Sequence, residues 1–357
     1  MSKRVLFGMS GGVDSAATAY LLHQQGYEVA GATFVLWSGE ETEESKCCSV
    51  DDVEDARYVC SQLGVPHYVF NYKDLFRRTV VEPFVEGYRQ GRTPNPCILC
   101  NRHIKFDAFS RRARELGFDY IATGHYARVT RDPESGRYQL RRALHPEKDQ
   151  SYVLYHLTQE QLSMFLLPLG DYSKEEVRQI ARDSGLVVAK KPDSQDICFV
   201  PDGDHAAFIG RYTGEAPKQG YFVDQQGTRL GPHKGIARYT VGQRKGLGIS
   251  LGKTMYVSRI SSADQTVTLV EDESLLFRDS LRAEDVSYLS IPPLTAPRGA
   301  EIRIRYSQGT AKGEIIPQED GSVLVQFERP QRAPTPGQAV VFYDGDLVLG
   351  GGTISGD

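Results

Sequence analysis

Two short stretches of this chain hold residues whose types and spacing can do chemistry. Residues 8–15 read Gly8, Met9, Ser10, Gly11, Gly12, Val13, Asp14, Ser15. Gly11 and Gly12 tolerate positive φ and let backbone N–H groups converge on an anion. Ser10 and Ser15 add hydroxyls, and Asp14 could hold Mg²⁺ or cap a helix. The stretch therefore reads as a phosphate loop. It lacks the closing lysine of a Walker A loop and is not G-x-G-x-x-G. The second stretch, "TPNPCILCNRHIKF" (93–106), sets Cys97 and Cys100 in a C-x-x-C. Such a pair can bind a metal, form a redox disulfide, supply a nucleophile or simply be buried.

The cysteines are Cys47, Cys48, Cys60, Cys97, Cys100 and Cys198. A long chain with no secretion signal should keep them as reduced thiols. Cys60 sits on an apolar helix stripe and reads as a small buried hydrophobe. Cys97, Cys100 and Cys198 could hold Zn²⁺ or an iron–sulfur cluster as three thiolates with one open position. A second C-x-x-C is absent, so a closed four-cysteine site is not expected. Cys47 and Cys48 are adjacent, which is not chelate spacing. They lie in the acidic run "SGEETEESKCCS", read as a loop that could close over a nucleotide.

The elements that must position these residues alternate in the first 125 residues. "RVLFGM" reads as a buried strand, "DSAATAYLLHQQ" as a helix stopped by Gly26, and "EVAGATFVL" as the next strand. "SVDDVEDARYVCSQLG" is a helix, with Ser49 and Asp52 resembling a capping box and Val53, Ala56, Val59, Cys60 and Leu63 as its buried stripe. "HYVFNY" and "DYIATGH" are strands, and 104–117 is a helix. Strand–helix alternation implies a parallel sheet covered on both faces. The phosphate loop falls between the first strand and first helix, where open α/β sheets bind phosphates. Beyond about residue 205 short strands replace helices. Turns are expected at Gln226-Gly227, near 262–265 and at Asp344-Gly345. From 280 on, Ile302, Ile304 and Tyr306 alternate with arginines, and Val323, Val325 and Phe327 with Leu324 and Gln326. This predicts a small terminal β-barrel.

Composition narrows the class. The chain has 357 residues, 40% hydrophobic and 25% charged, which suits a globular protein of two or three domains. No apolar run is long enough to span a membrane. The apolar stretch after the basic start is too short for a signal peptide, so a cytoplasmic protein is expected. A net charge of −4 argues against a strong nonspecific nucleic-acid binder, and no DNA partner is expected. Local basic clusters remain, one of them formed by Arg102, Lys105, Arg111, Arg112 and Arg114.

The 8–15 loop resembles the S-G-G-x-D-S loop of the PP-loop ATP pyrophosphatases. With "TPNPCILCNRHIKF", four further stretches follow in order: "ATGHYAR" (122–128), "KDQSYVLY" (148–155), "KKPDSQDICFV" (190–200) and "GQRKGLGI" (242–249). Together with "IRYSQ" (304–308) and "TPGQAVVFY" (335–343), they resemble the tRNA-specific 2-thiouridylases over nearly the whole chain. The resemblance implies a HUP-like PP-loop ATP pyrophosphatase domain at 1–205. It also implies a small, mainly β central domain at 206–277 and a β-barrel at 278–357, both contacting tRNA.

By the same resemblance, ATP and Mg²⁺ activate the C2 carbonyl of the wobble uridine by adenylation, with loss of pyrophosphate. Cys198 carries a persulfide filled by a sulfur-donor protein, a cysteine desulfurase or relay. Cys100 completes sulfur release and forms a disulfide with Cys198. Gly8 to Ser15, Phe34 and Gly124 fall at ATP-binding positions. Asn95, Pro96, Cys97, His125, Lys148, Asp149, Gln150, Arg305, Tyr306 and Gln338 fall at tRNA-binding positions. Where some members carry an acidic residue after Asn-Pro, this chain has Cys97, so a carboxylate role there does not transfer. Two rivals stand beside this reading. One is the same thiolation run through a cluster held by Cys97, Cys100 and Cys198. The other is an amide-forming ATP pyrophosphatase, which would need neither the paired cysteines nor an RNA-facing β-domain.

Overall fold

A computed structural model describes residues 2–37, 50–191 and 197–356. Its first sheet has five parallel strands, β1 (Arg4–Gly8), β2 (Glu28–Val35), β3 (His67–Asn71), β4 (Tyr120–Ala122) and a short outer strand, Phe165–Leu166, in the order β3-β2-β1-β4-outer. Val5, Leu6 and Phe7 are wholly buried, as an unbroken apolar run must be when helices cover both faces. Helix α1 (Val13–Gln24) and helix α2 (Val50–Gln62) make the expected crossovers. Ser49, Cys47, Cys48 and the acidic loop lie outside the described residues.

Two insertions were not anticipated in full. Between β3 and β4 the chain runs through helices α3 (Lys73–Phe76) and α4 (Glu82–Arg89), joined by a π-turn at Arg77–Val81. It continues through α5 (Pro96–Cys100), an eight-residue π segment (Asn101–Ala108) and α6 (Phe109–Glu115). The helix expected over 104–117 is therefore present but locally widened. Wide turns of this kind favour functional sites, and this one begins directly after Cys100. Between β4 and the outer strand lies a hairpin, β5 (Ala127–Arg131) with β6 (Tyr138–Arg142). It leaves the parallel sheet altogether.

The remainder is β-rich. Strands β8 (Gly220–Val223), β9 (Arg229–His233), β10 (Tyr256–Ser261) and β11 (Thr266–Val270), numbered after the outer strand β7, form the central sheet, with hairpins where turns were expected. Strands β12 (Phe277–Tyr288), β13 (Arg298–Arg303), β14 (Ala311–Pro317), β15 (Val323–Arg332), β16 (Ala339–Asp344) and β17 (Leu347–Ile354) close into a barrel through β12–β17 pairing. Ile302, Ile304, Val323, Val325 and Phe327 point inward. Tyr306 does not continue the stripe: β13 ends at Arg303 and Tyr306 stands exposed in the turn beyond it. The β5–β6 hairpin joins this barrel sheet beside β17, and one core cluster runs from Phe84 and Tyr152 to Leu289, Val341, Tyr343 and Val348. Among the described residues no helix is long and apolar enough to cross a membrane.

Candidate nucleotide and sulfur site

The phosphate loop is held by its own side chains. Ser15 donates to the Gly12 carbonyl at 2.9 Å and accepts from the Ser10 N–H at 3.3 Å. Gly11 has φ of +70°, and a methyl group there would lie 2.7 Å from the Asp52 carbonyl oxygen. Gly124, after β4, packs so closely on the Asp14–Ser15 backbone that a methyl would stand 3.2 Å from both residues. Phe34 borders Gly8 and meets Phe109 edge-on, which places an aromatic wall beside the loop.

Asp14 does not cap α1, whose first turn begins at Gly12 without a side-chain cap. Its Oδ1 instead accepts from Tyr126 Oη at 2.8 Å and from the buried Lys174 Nζ at 2.7 Å. Lys174 opens helix α7 (Lys174–Asp183), which is fixed by a Ser173/Glu176 capping box. Among the described residues no hydrogen bond to Oδ2 is found, and a single carboxylate together with phosphates and water would suit Mg²⁺. Lys174 and Tyr126 were missed from sequence, although Ser-Lys-Glu-Glu marks a helix start and Tyr126 lies inside "ATGHYAR".

The C-x-x-C occupies a short, heavily anchored helix. Asn95 is its N-cap and accepts from the Cys97 N–H at 3.1 Å, while Pro96 takes the first position. Gln338 of the barrel donates to the Thr93 carbonyl at 2.7 Å, and the Thr93 N–H donates to Pro336 at 2.8 Å. Cys100 is buried and belongs to the main core, against which Cys198 packs half-buried. Cys97 has exposed surface yet is crowded by protein on most sides. That enclosure pushes its thiol upward, with the nearby Cys198 adding and Lys105 opposing. Cys60, fully buried, is pushed up to about 11 by burial and is inert.

Lys105, on the π segment, links this group to the nucleotide loop. It acts electrostatically on Cys97 and on His125, the neighbour of Gly124. His125 is buried against Phe106 and shares a 2.8 Å hydrogen bond with Thr123. Burial, then Lys105, hold its imidazole well below the ordinary range, so it is neutral.

On the barrel side, Tyr306 feels Asp149, Lys148 and Cys97, and its hydroxyl donates to the Asp149 carbonyl at 3.3 Å. Asp149 is buried, accepting from Ala143, Ser151 N–H and Ser151 hydroxyl. Gln150 Oε1 accepts from the Tyr126 N–H at 2.9 Å. One terminal nitrogen of Arg305 donates to Val241, Ala333 and Thr335, joining the central domain to the barrel. Asn95, Asp149, Gln150, Arg305 and Gln338 thus each hold the architecture of the site. Among the described residues no three of His, Cys, Asp and Glu come together to hold a metal ion. Cys97, Cys100 and Cys198 are not drawn together into such a group among the described residues.

A parallel sheet bearing this loop between its first strand and first helix, followed by two β-domains, defines a PP-loop ATP pyrophosphatase of the HUP type. Residues 3–202 match the tRNA methyl transferase HUP domain family, 206–271 the tRNA methyl transferase PRC-barrel domain, and 278–354 the aminomethyltransferase beta-barrel domain. The tRNA-specific 2-thiouridylase MnmA of Acetivibrio thermocellus is 52% identical over 356 residues, covering 99% of each chain. That of Clostridioides difficile is 49% identical over 356 residues, covering 99% of this chain and 98% of its own. A solved 4-thiouridine synthetase–RNA complex with bound ATP is a remote likeness, with TM-score 0.39 and 17% identity over 58% of this chain and 50% of that one. The chain belongs to the tRNA-specific 2-thiouridylase family.

Proposed function

We propose that this chain replaces the 2-oxygen of the wobble uridine in tRNA with sulfur, using ATP and Mg²⁺, in the cytoplasm. The observation that carries the reading is that Gly124 packs on the Asp14–Ser15 backbone, while its neighbour His125 and the Cys97 thiol, which also feels Cys198, are both under the influence of Lys105. It supports a nucleotide site and thiols that work together.

An amide-like carbonyl is a poor electrophile, so its oxygen must first become a leaving group. The uridine O2 attacks the α-phosphorus and pyrophosphate departs. The outer sulfur of a Cys198 persulfide then attacks C2, and AMP leaves. Cys100 attacks the Cys198 Sγ: the S–S bond to the transferred sulfur breaks, that sulfur stays on C2, and a Cys100–Cys198 disulfide forms. A cytosolic dithiol returns two electrons to reset the pair. A persulfide-carrying donor protein refills Cys198.

Lys174 and the loop amides balance phosphate charge, and Lys105 stabilises negative charge developing near the thiols. Tyr306, Lys148, His125, Asn95, Pro96 and Cys97 surround the base, and Tyr306 is the exposed ring able to stack on it. Asp149, Gln150, Arg305 and Gln338 set the shape that receives the tRNA.

The test is the pair Cys198→Ser and Cys100→Ser. Each should lose 2-thiouridine formation by more than a hundredfold, read by mass spectrometry of tRNA nucleosides, while ATP binding is unchanged. Thiolation retained by either variant rejects the scheme.

A further inference from the structure

The helix that carries Cys100 is held by the barrel at both of its ends. Ahead of it, the Thr93 backbone is tied to Pro336 and Gln338, and Gly337 between them lies so close that a methyl group there would stand 3.0 Å from the Thr93 nitrogen. Behind it, Arg102, two residues past Cys100, spreads its guanidinium over the Asp285 carboxylate. Nη1 meets Oδ2, and Nη2 donates to Oδ1 at 3.4 Å. The two partners are 183 residues apart in the chain.

Asp285 reaches Arg102 from an unusual backbone. Its φ is +47°, in the left-handed region that few residues other than glycine adopt. It sits where the β12–β17 pairing shifts register, between Glu284 and Ser287. The facing strand admits this bulge through a glycine: a methyl at Gly350 would lie 2.0 Å from the Ser287 carbonyl oxygen. The ion pair is exposed, with 41% and 58% of the two side chains accessible, and exposed pairs add little to stability. Glycine would take this φ more easily. The aspartate instead offers two oxygens to a guanidinium fork, which fixes direction as well as distance. Backbone strain kept for the sake of geometry clusters beside functional groups.

The pair holds the start of the π segment. Asn101 and Arg102 open that segment directly after Cys100. Asn101 Nδ2 donates to the Val153 carbonyl at 3.1 Å, but its buried Oδ1 has no partner among the described residues. The backbone therefore leaves the regular α ladder just where Cys100 stands, and ties to other elements set the angle at which the helix presents its sulfur.

We propose that Asp285 is a positioning residue for Cys100: through Arg102 it sets the line along which the Cys100 thiolate attacks the Cys198 Sγ. This rests on the sulfur-transfer scheme above. In that step the Cys100 sulfur bonds to the Cys198 Sγ, and the bond from Sγ to the transferred sulfur breaks. The electron pair of that bond stays with the sulfur on C2, and the thiol proton ends on the 2-thiouridine. Attack of this kind needs the three sulfurs in line. Loss of the tie therefore leaves adenylation and AMP release intact and slows the release of thiolated tRNA from Cys198.

The experiment is a single turnover, without dithiol, of full-length persulfide-loaded enzyme with tRNA, ATP and Mg²⁺. It compares the wild type, Asp285→Gly, Asp285→Asn, Arg102→Gln and the double variant Arg102→Gln/Asp285→Gly. AMP is read by chromatography, the covalent enzyme–tRNA species on a denaturing gel, and the Cys100–Cys198 disulfide by mass spectrometry after alkylation. Asp285→Gly should release AMP at the wild-type rate, accumulate the covalent species and form the disulfide about tenfold more slowly. It should melt close to the wild type, because relief of the left-handed φ offsets loss of an exposed ion pair. Asp285→Asn, which keeps one acceptor oxygen, should fall between. Arg102→Gln should match Asp285→Gly, and the double variant should be no slower than either. Three results overturn the inference alone: a wild-type rate of disulfide formation in Asp285→Gly, AMP release slowed in the same proportion, or a release defect that tracks a fall in melting temperature. A wild-type enzyme that thiolates tRNA without forming the Cys100–Cys198 disulfide instead rejects the scheme beneath it.

Discussion

At the residue scale, His156 shows how the fold treats titratable groups behind the site. It is buried, and neither ring nitrogen has a hydrogen-bond partner among the described residues. Burial, then Arg102 and His103, lower its pKa from 6.5 to about 3. Between those values the unfolded chain binds a proton that the folded chain refuses. Stability is therefore undisturbed above pH 6.5 and falls as pH drops below it. His156→Phe should remove this share of the acid sensitivity. Relative to the wild type, the variant should gain about 1.4 kcal/mol on going from pH 7.5 to 5.5, read from urea midpoints. A stability difference that does not change with pH rejects this account. None of this was legible in "VLYHLTQ", because the groups that bury a histidine come from other elements. The loop of Gly8 to Ser15 was legible, because its chemistry is local: glycines, hydroxyls and one helix start.

At the element scale, β2 and α2 are fitted to each other at one point. Gly31 on β2 lies so close to the Cys60 sulfur of α2 that a methyl group would collide with it. Gly31→Ala should cost about 1–3 kcal/mol, as overpacking does. In the Cys60→Ala background the same change should cost clearly less, and a double-mutant cycle in denaturant measures the coupling. An additive result would mean that the backbone, not the sulfur, sets the limit. The stripe of α2 could be read by period, as could the inward alternation of β13 and β15. The π segment after Cys100 could not, since its apolar residues Ile104, Phe106 and Ala108 fit an ordinary helix. The β5–β6 hairpin was hidden for another reason. Its turn, Asp132 to Gly136, is closed by Asp132 accepting from the Glu134 and Ser135 N–H groups, and its destination is a strand some two hundred residues later.

At the scale of the whole molecule, the catalytic domain and barrel share a core. Arg128 and Arg141 of the hairpin pair with Asp346 at 2.9 and 2.6 Å. The Tyr152 hydroxyl donates to the Ala339 carbonyl at 2.8 Å, and Gln159 and Arg137 both donate to the Leu289 carbonyl. A chain ended at residue 277 should thus lose more than its barrel. It should expose Tyr152 and Leu140, bind the dye ANS and melt well below the full chain, rather than behave as an intact ATP-binding domain. A soluble truncated form with an unchanged melting temperature rejects this. Synthesis makes the same feature a matter of time. At roughly 5–20 residues per second, the ribosome needs about 10–40 s to travel from β6 to β17. Throughout that interval the nascent enzyme carries an open strand edge and an apolar flank with nothing yet made to cover them. Until β17 emerges, that edge and flank are the part of the chain most open to wrong pairing.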